Sequence, residues 1–201
     1  MIIAKPRINE IQFGGGTPSH LDNGQFTQLV DRLSTLIDFK ALDEVTMEID
    51  PRTTTQDNLR HYASKGVSRI SFGIQDFDPE VQKAINRVQP PEMIDALLTP
   101  EIRCLFSGVN FDLLYGLPLQ TRESLRNTIE LVRKFHPDRI TLLKYAHVPD
   151  LRKHMKLIKD AELPPADELP VMFVDIVQSL LDHGYDWIGL DHFAKSTDDL
   201  A

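Results

Sequence analysis

Glu48, Gln75 and Asp112 are the side chains whose types and placement could do chemistry together. Each lies on the polar side of a short alternating run. Val45, Met47 and Ile49 oppose Thr46, Glu48 and Asp50; Ile70, Phe72 and Ile74 oppose Ser71, Gly73 and Gln75; Val109, Phe111 and Leu113 oppose Asn110 and Asp112. Successive side chains of a strand point to opposite faces, so each run carries one apolar and one polar face. The polar face is most polar near its C-terminal end, where ligands bind in barrels and in open α/β sheets. Carboxylates suit ribose hydroxyls and cationic groups. A half-exposed sheet facing water would show the same alternation, but parallel sheets are normally covered on both sides. Gly14-Gly15-Gly16-Thr17-Pro18 follows the first apolar run. Three glycines let backbone approach a ligand closely and adopt positive φ, and a plain tight turn would look alike. Neither a phosphate loop nor the Gly-x-Gly-x-x-Gly dinucleotide fingerprint is present.

The elements that must position these residues follow from hydrophobic period. Strands are expected at Ile8–Phe13, Glu44–Ile49, Arg69–Gln75, Val109–Leu114, Arg139–Tyr145 and Trp187–Leu190. Helices are expected at Gln25–Ile37, Thr55–Ser64, Pro79–Asn86, Glu92–Leu98, Thr121–Phe135 and Leu169–His183. Alternation at about 30-residue spacing predicts βα units on a parallel sheet, open or barrel-like. Lys153–Pro170, with three prolines, reads as an excursion, and no flexible polar linker divides the chain.

Composition narrows the function. The chain has 201 residues, is 41% hydrophobic and 26% charged, and carries a net charge of −8, which suits a soluble globular protein. The acidic balance disfavours nucleic acid and anionic lipid as partners. No run approaches the ~18 apolar residues of a membrane span. The start Met1–Pro6 is too short in its apolar part for a signal peptide, so a cytoplasmic location is expected. Cys104 is the sole cysteine. One thiol makes neither an intramolecular disulfide nor an iron–sulfur site, which needs several thiolates. His20, His61, His136, His154 and His183 show no metal-ligand spacing on one face. Trp187 reads as core, and Tyr145 as core or as a stacking partner for a ring. His147 and His192 read either as facing a substrate or as hydrogen-bonded structural histidines.

Phe13-Gly-Gly-Gly-Thr-Pro-Ser19 resembles the glycine-rich motif of radical S-adenosylmethionine (SAM) enzymes. Glu48-Ile-Asp-Pro-Arg52, Ser71-Phe-Gly-Ile-Gln-Asp-Phe77, Val81-Gln82 with Asn86-Arg-Val-Gln89, and Asn110-Phe-Asp-Leu-Leu-Tyr-Gly-Leu-Pro118 narrow the likeness. So do Tyr145-Ala-His-Val-Pro149, Lys159-Asp-Ala-Glu-Leu-Pro164 and Gly189-Leu-Asp-His-Phe-Ala194. In order and over nearly the whole chain, they resemble the oxygen-independent coproporphyrinogen III oxidases. That resemblance implies a partial TIM-like (βα)6 three-quarter barrel with SAM at its C-terminal mouth. Gly15, Gly16 and Thr17 would meet the methionine moiety through backbone, and Arg87 would pair with its carboxylate. Glu48, Gln75 and Asp112 would bind ribose and amine groups, and Ala146 would offer backbone to the adenine. The implied reaction converts two propionates of coproporphyrinogen III to vinyls. In each round a 5′-deoxyadenosyl radical takes a hydrogen atom, and carbon dioxide and one electron then leave.

Two departures set further expectations. The family's Cys-x3-Cys-x2-Cys motif lies upstream of the glycine motif, so residues 1–201 are expected to be a barrel truncated at both ends. The [4Fe-4S] cluster would then belong to the full-length parent, and this chain alone would be inactive. An external electron donor and a monomeric full-length protein are expected. Around Thr99–Phe106 the family pattern blurs and Pro100 interrupts the expected helix. Two rivals stay open: a haem-binding chaperone related to these oxidases, and a non-catalytic SAM-binding fragment.

Overall fold

A computed structural model describes residues 8–201, apart from the side chain of His154. Residues 1–7, with the short apolar start, therefore lie outside the described residues, as does any role of His154 in a metal site. Seven strands form one sheet in the order β1-β2-β3-β4-β5-β7-β6, with β1 and β6 at its two edges. They are β1 (Glu10–Phe13), β2 (Glu44–Ile49), β3 (Arg69–Gln75), β4 (Gly108–Tyr115), β5 (Arg139–Lys144), β6 (Tyr185–Gly189) and β7 (His192–Lys195). The helices are α1 (Asn23–Ser34), α2 (Gln56–Ser64), α3 (Pro79–Ala84), α4 (Pro91–Leu97), α5 (Pro100–Arg103), α6 (Arg122–Lys134) and α7 (Leu169–Asp182). The α/β architecture with a mostly parallel, open sheet is the expected one. The chain divides into two compact units, the residues up to Phe72 with Ala96–Val109, and Gly73–Asp95 with Asn110–Ala201.

In the first unit β1 pairs parallel with β2, and β2 with β3. Val45, Met47 and Ile49 are buried and the alternate residues of β2 are half-buried, so the alternation read from sequence is the actual burial pattern. Asp22 and Thr55 each cap a helix, α1 and α2, through reciprocal capping boxes, which satisfy amide groups that the first helical turn leaves without partners. Phe26 of α1 and Tyr62 of α2 meet edge to face at 5.0 Å in the core. The polar face of β3 closes at its N-terminal end, where buried Arg69 pairs with Glu44 at 2.7 Å. Gly108 is the reason there is room: a Cβ there would lie 2.3 Å from the guanidinium carbon of Arg69. Pro100 does not break a helix; it occupies the first turn of α5, which Thr99 caps, a position where proline's missing N–H costs nothing.

In the second unit β4 and β5 run parallel, with Asp112 opposite Thr141. α6 presents Leu125, Ile129 and Val132 to the core. Two differences from the sequence expectation arise at the C-terminal end. Strand β6 begins two residues earlier than expected, at Tyr185, and Phe193-Ala194 belong to a further strand, β7, antiparallel to both β5 and β6. Only Leu190 and Asp191 separate β6 from β7, and two residues can close a hairpin but not a parallel crossover. Trp187, expected in the core, is 48% exposed and stacks on Phe193 at 6.1 Å. It sits on β6, the edge strand of the sheet. Lys153–Leu157 and Asp160–Glu162 form short 3-10 turns within the expected excursion. No helix among the described residues is long and apolar enough to cross a membrane.

The loop after β3 is organised by a carboxylate. Asp76 is fully buried and accepts bonds from Thr128 Oγ1, from Gln120 Nε2 and from the Asp78 amide. Thr128 Oγ1 also accepts the Phe77 N–H at 3.1 Å. Gln120 Oε1 accepts the amides of Gly116 and Leu117 at 2.7 and 3.1 Å, pinning the turn after β4. Burial pushes the Asp76 carboxyl above the ordinary aspartate value, against the opposing effect of its three donors. A carboxyl with a raised folded pKa binds its proton more readily folded than unfolded. Stability from Asp76 is therefore greatest below its unfolded pKa and falls as pH rises through the folded value. Thr128→Val removes one donor and orphans the Phe77 amide, and should cost about 1–3 kcal/mol in urea denaturation. The stability of the parent chain minus that of Asp76→Asn should fall as pH rises from 3.8. A flat or rising difference would contradict a raised pKa.

Candidate functional site

Each unit gathers a subset of the expected site residues. In the first, the turn after β1 places Gly14, Gly15 and Gly16 at the surface. Glu48, near the C-terminal end of neighbouring β2, holds that turn. Its Oε2 accepts the Gly15 N–H at 3.2 Å and its Oε1 the Gln12 amide at 3.4 Å. Gly15 has φ of +89°, a conformation that costs an L side chain roughly 1–2 kcal/mol. Gly14 answers to a different constraint, because a Cβ there would collide with the Glu48 carboxyl, 2.7 Å from its carbon. Around Gly15 and Gly16 an added Cβ would meet nothing within 4 Å, so this rim is open to a ligand. Thr17 follows half-buried, and Ser19 Oγ accepts the Asp50 amide at 3.0 Å. Asp50 in turn is gripped by Arg52 through two guanidinium nitrogens at 2.7 and 3.0 Å.

In the second unit Gln75 and Arg87 come together over Gly73. A Cβ on Gly73 would lie 2.9 Å from Gln75 Nε2 and 3.1 Å from Arg87 Nη2. Gln75 has φ of +67°, backbone strain of the kind that collects at ligand sites. Arg87 donates from Nη2 to the Gly73 carbonyl and from Nε to Gln89 Oε1, both at 2.9 Å. Asp112 lies half-buried in a second cluster, where Asn110 Nδ2 donates to it at 2.7 Å and Thr141 Oγ1 donates to Asn110 at 3.3 Å. Ala146 is exposed just beyond β5. His147 is a hydrogen-bonded histidine: its Nδ1 lies 3.2 Å from the Tyr145 hydroxyl and its Nε2 3.4 Å from Asp160. Burial raises the Tyr145 pKa. His192 is exposed on β7.

Sequence reasoning did not single out Gln12, Asp76, Gln82, Gln89, Gln120 and Thr128. Gln82 and Gln89 stand inside quoted motifs, but nothing in their types shows that an amide there grips backbone. Among the described residues no group of His, Cys, Asp or Glu could hold a metal ion, and Cys104 is exposed and unpaired by disulfide. A single thiol does not fit an iron–sulfur cluster. Taken by itself, the open glycine rim of the first unit leaves room for a small ligand, and in the second unit a guanidinium such as that of Arg87 suits a carboxylate.

Residues 1–132 match the model of the radical SAM superfamily, and the chain belongs to that superfamily. SAM is the cofactor of that superfamily, used with a [4Fe-4S] cluster. The chain is 40% identical over 200 residues to the oxygen-independent coproporphyrinogen III oxidase of Salmonella typhimurium, and spans 44% of that relative's length. Its structure resembles coproporphyrinogen III oxidase (HemN) from Escherichia coli with a TM-score of 0.89 and 37% identity, covering 95% of this chain and 44% of that one. The archaeal Elp3 of Methanocaldococcus infernus, at 16% identity, shares the fold with a TM-score of 0.65, over 84% of this chain and 43% of its own.

The glycine turn yields an ordered expectation. Gly15→Ala should destabilise by about 1–2 kcal/mol through its positive φ. Gly14→Ala should cost about 1 kcal/mol, because Glu48 must swing away and release the Gly15 amide. Gly16→Ala, with open space and no positive φ, should stay within about 0.5 kcal/mol. Urea denaturation of the three variants checks the order, and equal losses at Gly14 and Gly16 would remove Glu48 from this role.

Proposed function

We propose that this chain is the SAM-binding barrel of an oxygen-independent coproporphyrinogen III oxidase, which oxidatively decarboxylates two propionates of coproporphyrinogen III to the vinyls of protoporphyrinogen IX. The observation that carries the reading is identity to coproporphyrinogen III oxidases along the entire chain, at 40% over 200 residues. It reaches well past the part that matches the superfamily model, residues 1–132. The Tyr145–Pro149 and Gly189–Ala194 segments, which carry the finer resemblance, lie in that remainder.

In this reading the Gly15, Gly16 and Thr17 backbone meets the methionine moiety of SAM, and Arg87 pairs with its carboxylate. Glu48, Gln75 and Asp112 take ribose and amine groups, and Ala146 offers backbone to the adenine. SAM, when bound, supplies the hydrogen-abstracting chemistry of the superfamily. What these residues contribute is orientation, the conversion of an encounter into a held geometry. The open rim at Gly15 and Gly16 supports backbone contact, and the position of Arg87 beside Gln75 supports a shared ligand. The acidic balance supports a cytoplasmic, small-molecule enzyme over one that binds nucleic acid or membrane. An external electron donor and a monomeric state belong to the same proposal.

Isothermal titration with SAM tests it. Arg87→Ala should weaken binding by about 1.5–3 kcal/mol, the worth of a hydrogen bond to a charged group. An effect within about 0.5 kcal/mol would make Arg87 an ordinary surface arginine. Tight, stoichiometric haem binding without SAM binding would favour the chaperone reading instead.

A further inference from the structure

Arg87 does not hang from a loop by its own backbone. It follows Asn86, whose φ of +53° turns the chain out of α3, and its amide returns to the Gln82 carbonyl at 2.8 Å. Two glutamines then fix the side chain. Gln89 has no solvent exposure and Gln82 is 3% exposed. Gln89 Oε1 accepts Arg87 Nε–H, while its Nε2 donates to the carbonyls of Gly73 and Ile74. The amide can therefore sit only one way round: reversed, it would aim its oxygen at two carbonyls and its NH2 at a guanidinium. Gln82 grips the backbone of Gln89 at both ends, accepting its N–H at 3.0 Å and donating to its carbonyl at 2.9 Å. The same Gln82 NH2 donates to the Asp76 carbonyl at 2.9 Å, which ties the clasp to the buried carboxylate loop after β3.

We infer that Gln82 and Gln89 are positioning residues that hold the Arg87 guanidinium in its ligand-binding orientation before the ligand arrives. This rests on the reading that Arg87 takes the SAM carboxylate. A free arginine side chain samples many rotamers. A guanidinium in its competent rotamer only a tenth of the time would bind about tenfold more weakly, since apparent affinity scales with the competent fraction. Here Gln89 Oε1 and the Gly73 carbonyl each hold one of its N–H donors. A glutamate at residue 89 would pair with Arg87 but would lose both donors to the β3 carbonyls.

The test compares SAM with decarboxylated SAM, which lacks the group Arg87 would read. Gln89→Met, similar in size and without polar ends, should weaken SAM about tenfold and leave decarboxylated SAM within about twofold. Gln82→Met should act in the same direction by releasing Gln89. A residue that only supports the fold would move both ligands alike, and that result would overturn the inference. Arg87→Ala separates the two layers of argument. If it too leaves the preference for SAM unchanged, the assignment of Arg87 to the carboxylate fails. If it abolishes the preference while both glutamine variants keep it, the assignment stands and the clasp fails. An arm that needs no variant is the Arg87 Nε–H resonance in the ligand-free protein. It should be resolved and slow to exchange with water, and exchange as fast as that of a solvent-exposed arginine would overturn the clasp directly.

Discussion

A carboxylate buried away from water must find donors, and Asp76 finds them on three different segments. Thr128 comes from α6, Gln120 from the turn after β4, and the Asp78 amide from the start of α3. The polar ends of the second unit are built outward from this point. Its backbone carbonyl receives Gln82, Gln82 secures Gln89, and Gln89 receives Arg87. Gln120, while bonded to Asp76, also holds the Gly116–Leu117 turn. Strand ends and loops are where backbone groups lack ladder partners, and here side-chain amides take over that task.

The first unit solves the same problem with an exposed loop. Glu48 reaches from β2 to the turn after neighbouring β1 and holds the Gly15 amide, and Gly14 leaves the space that its carboxylate occupies. One acidic side chain thus has a structural bond on each oxygen, and a carboxylate retains lone pairs beyond these. The strand alternation that puts Glu48 on this face is the one that buries Met47 and Ile49 on the other. Fold and site are therefore consequences of a single period, and shifting β2 by one residue would lose both.

Membership of the radical SAM superfamily explains why polar strand ends and a glycine turn coexist in one chain. The proposed coproporphyrinogen oxidase reading places the chemistry in SAM and leaves binding and orientation to the residues described here. These 201 residues supply one thiol, too few to ligate an iron–sulfur cluster.

Much of this was legible in the residues alone. β2 and β3 have the bounds that alternation predicts, because apolar residues at every second position mark a strand. The same alternation marks Glu48, Gln75 and Asp112 as polar positions opposite apolar ones. The β6–β7 hairpin was not legible, since short apolar runs do not show their direction and only the two-residue connection dictates it. Trp187 looked like core by type, yet its exposure depends on which strand ends the sheet. The clasp around Arg87 and the donors of Asp76 were invisible too. Glutamine and threonine are ordinary surface residues in composition, and what makes Gln82, Gln89, Gln120 and Thr128 structural is burial beside backbone groups with nothing else to bond. That pairing joins Asp76 to Thr128 across 52 residues of sequence, and only the folded chain brings the two within reach.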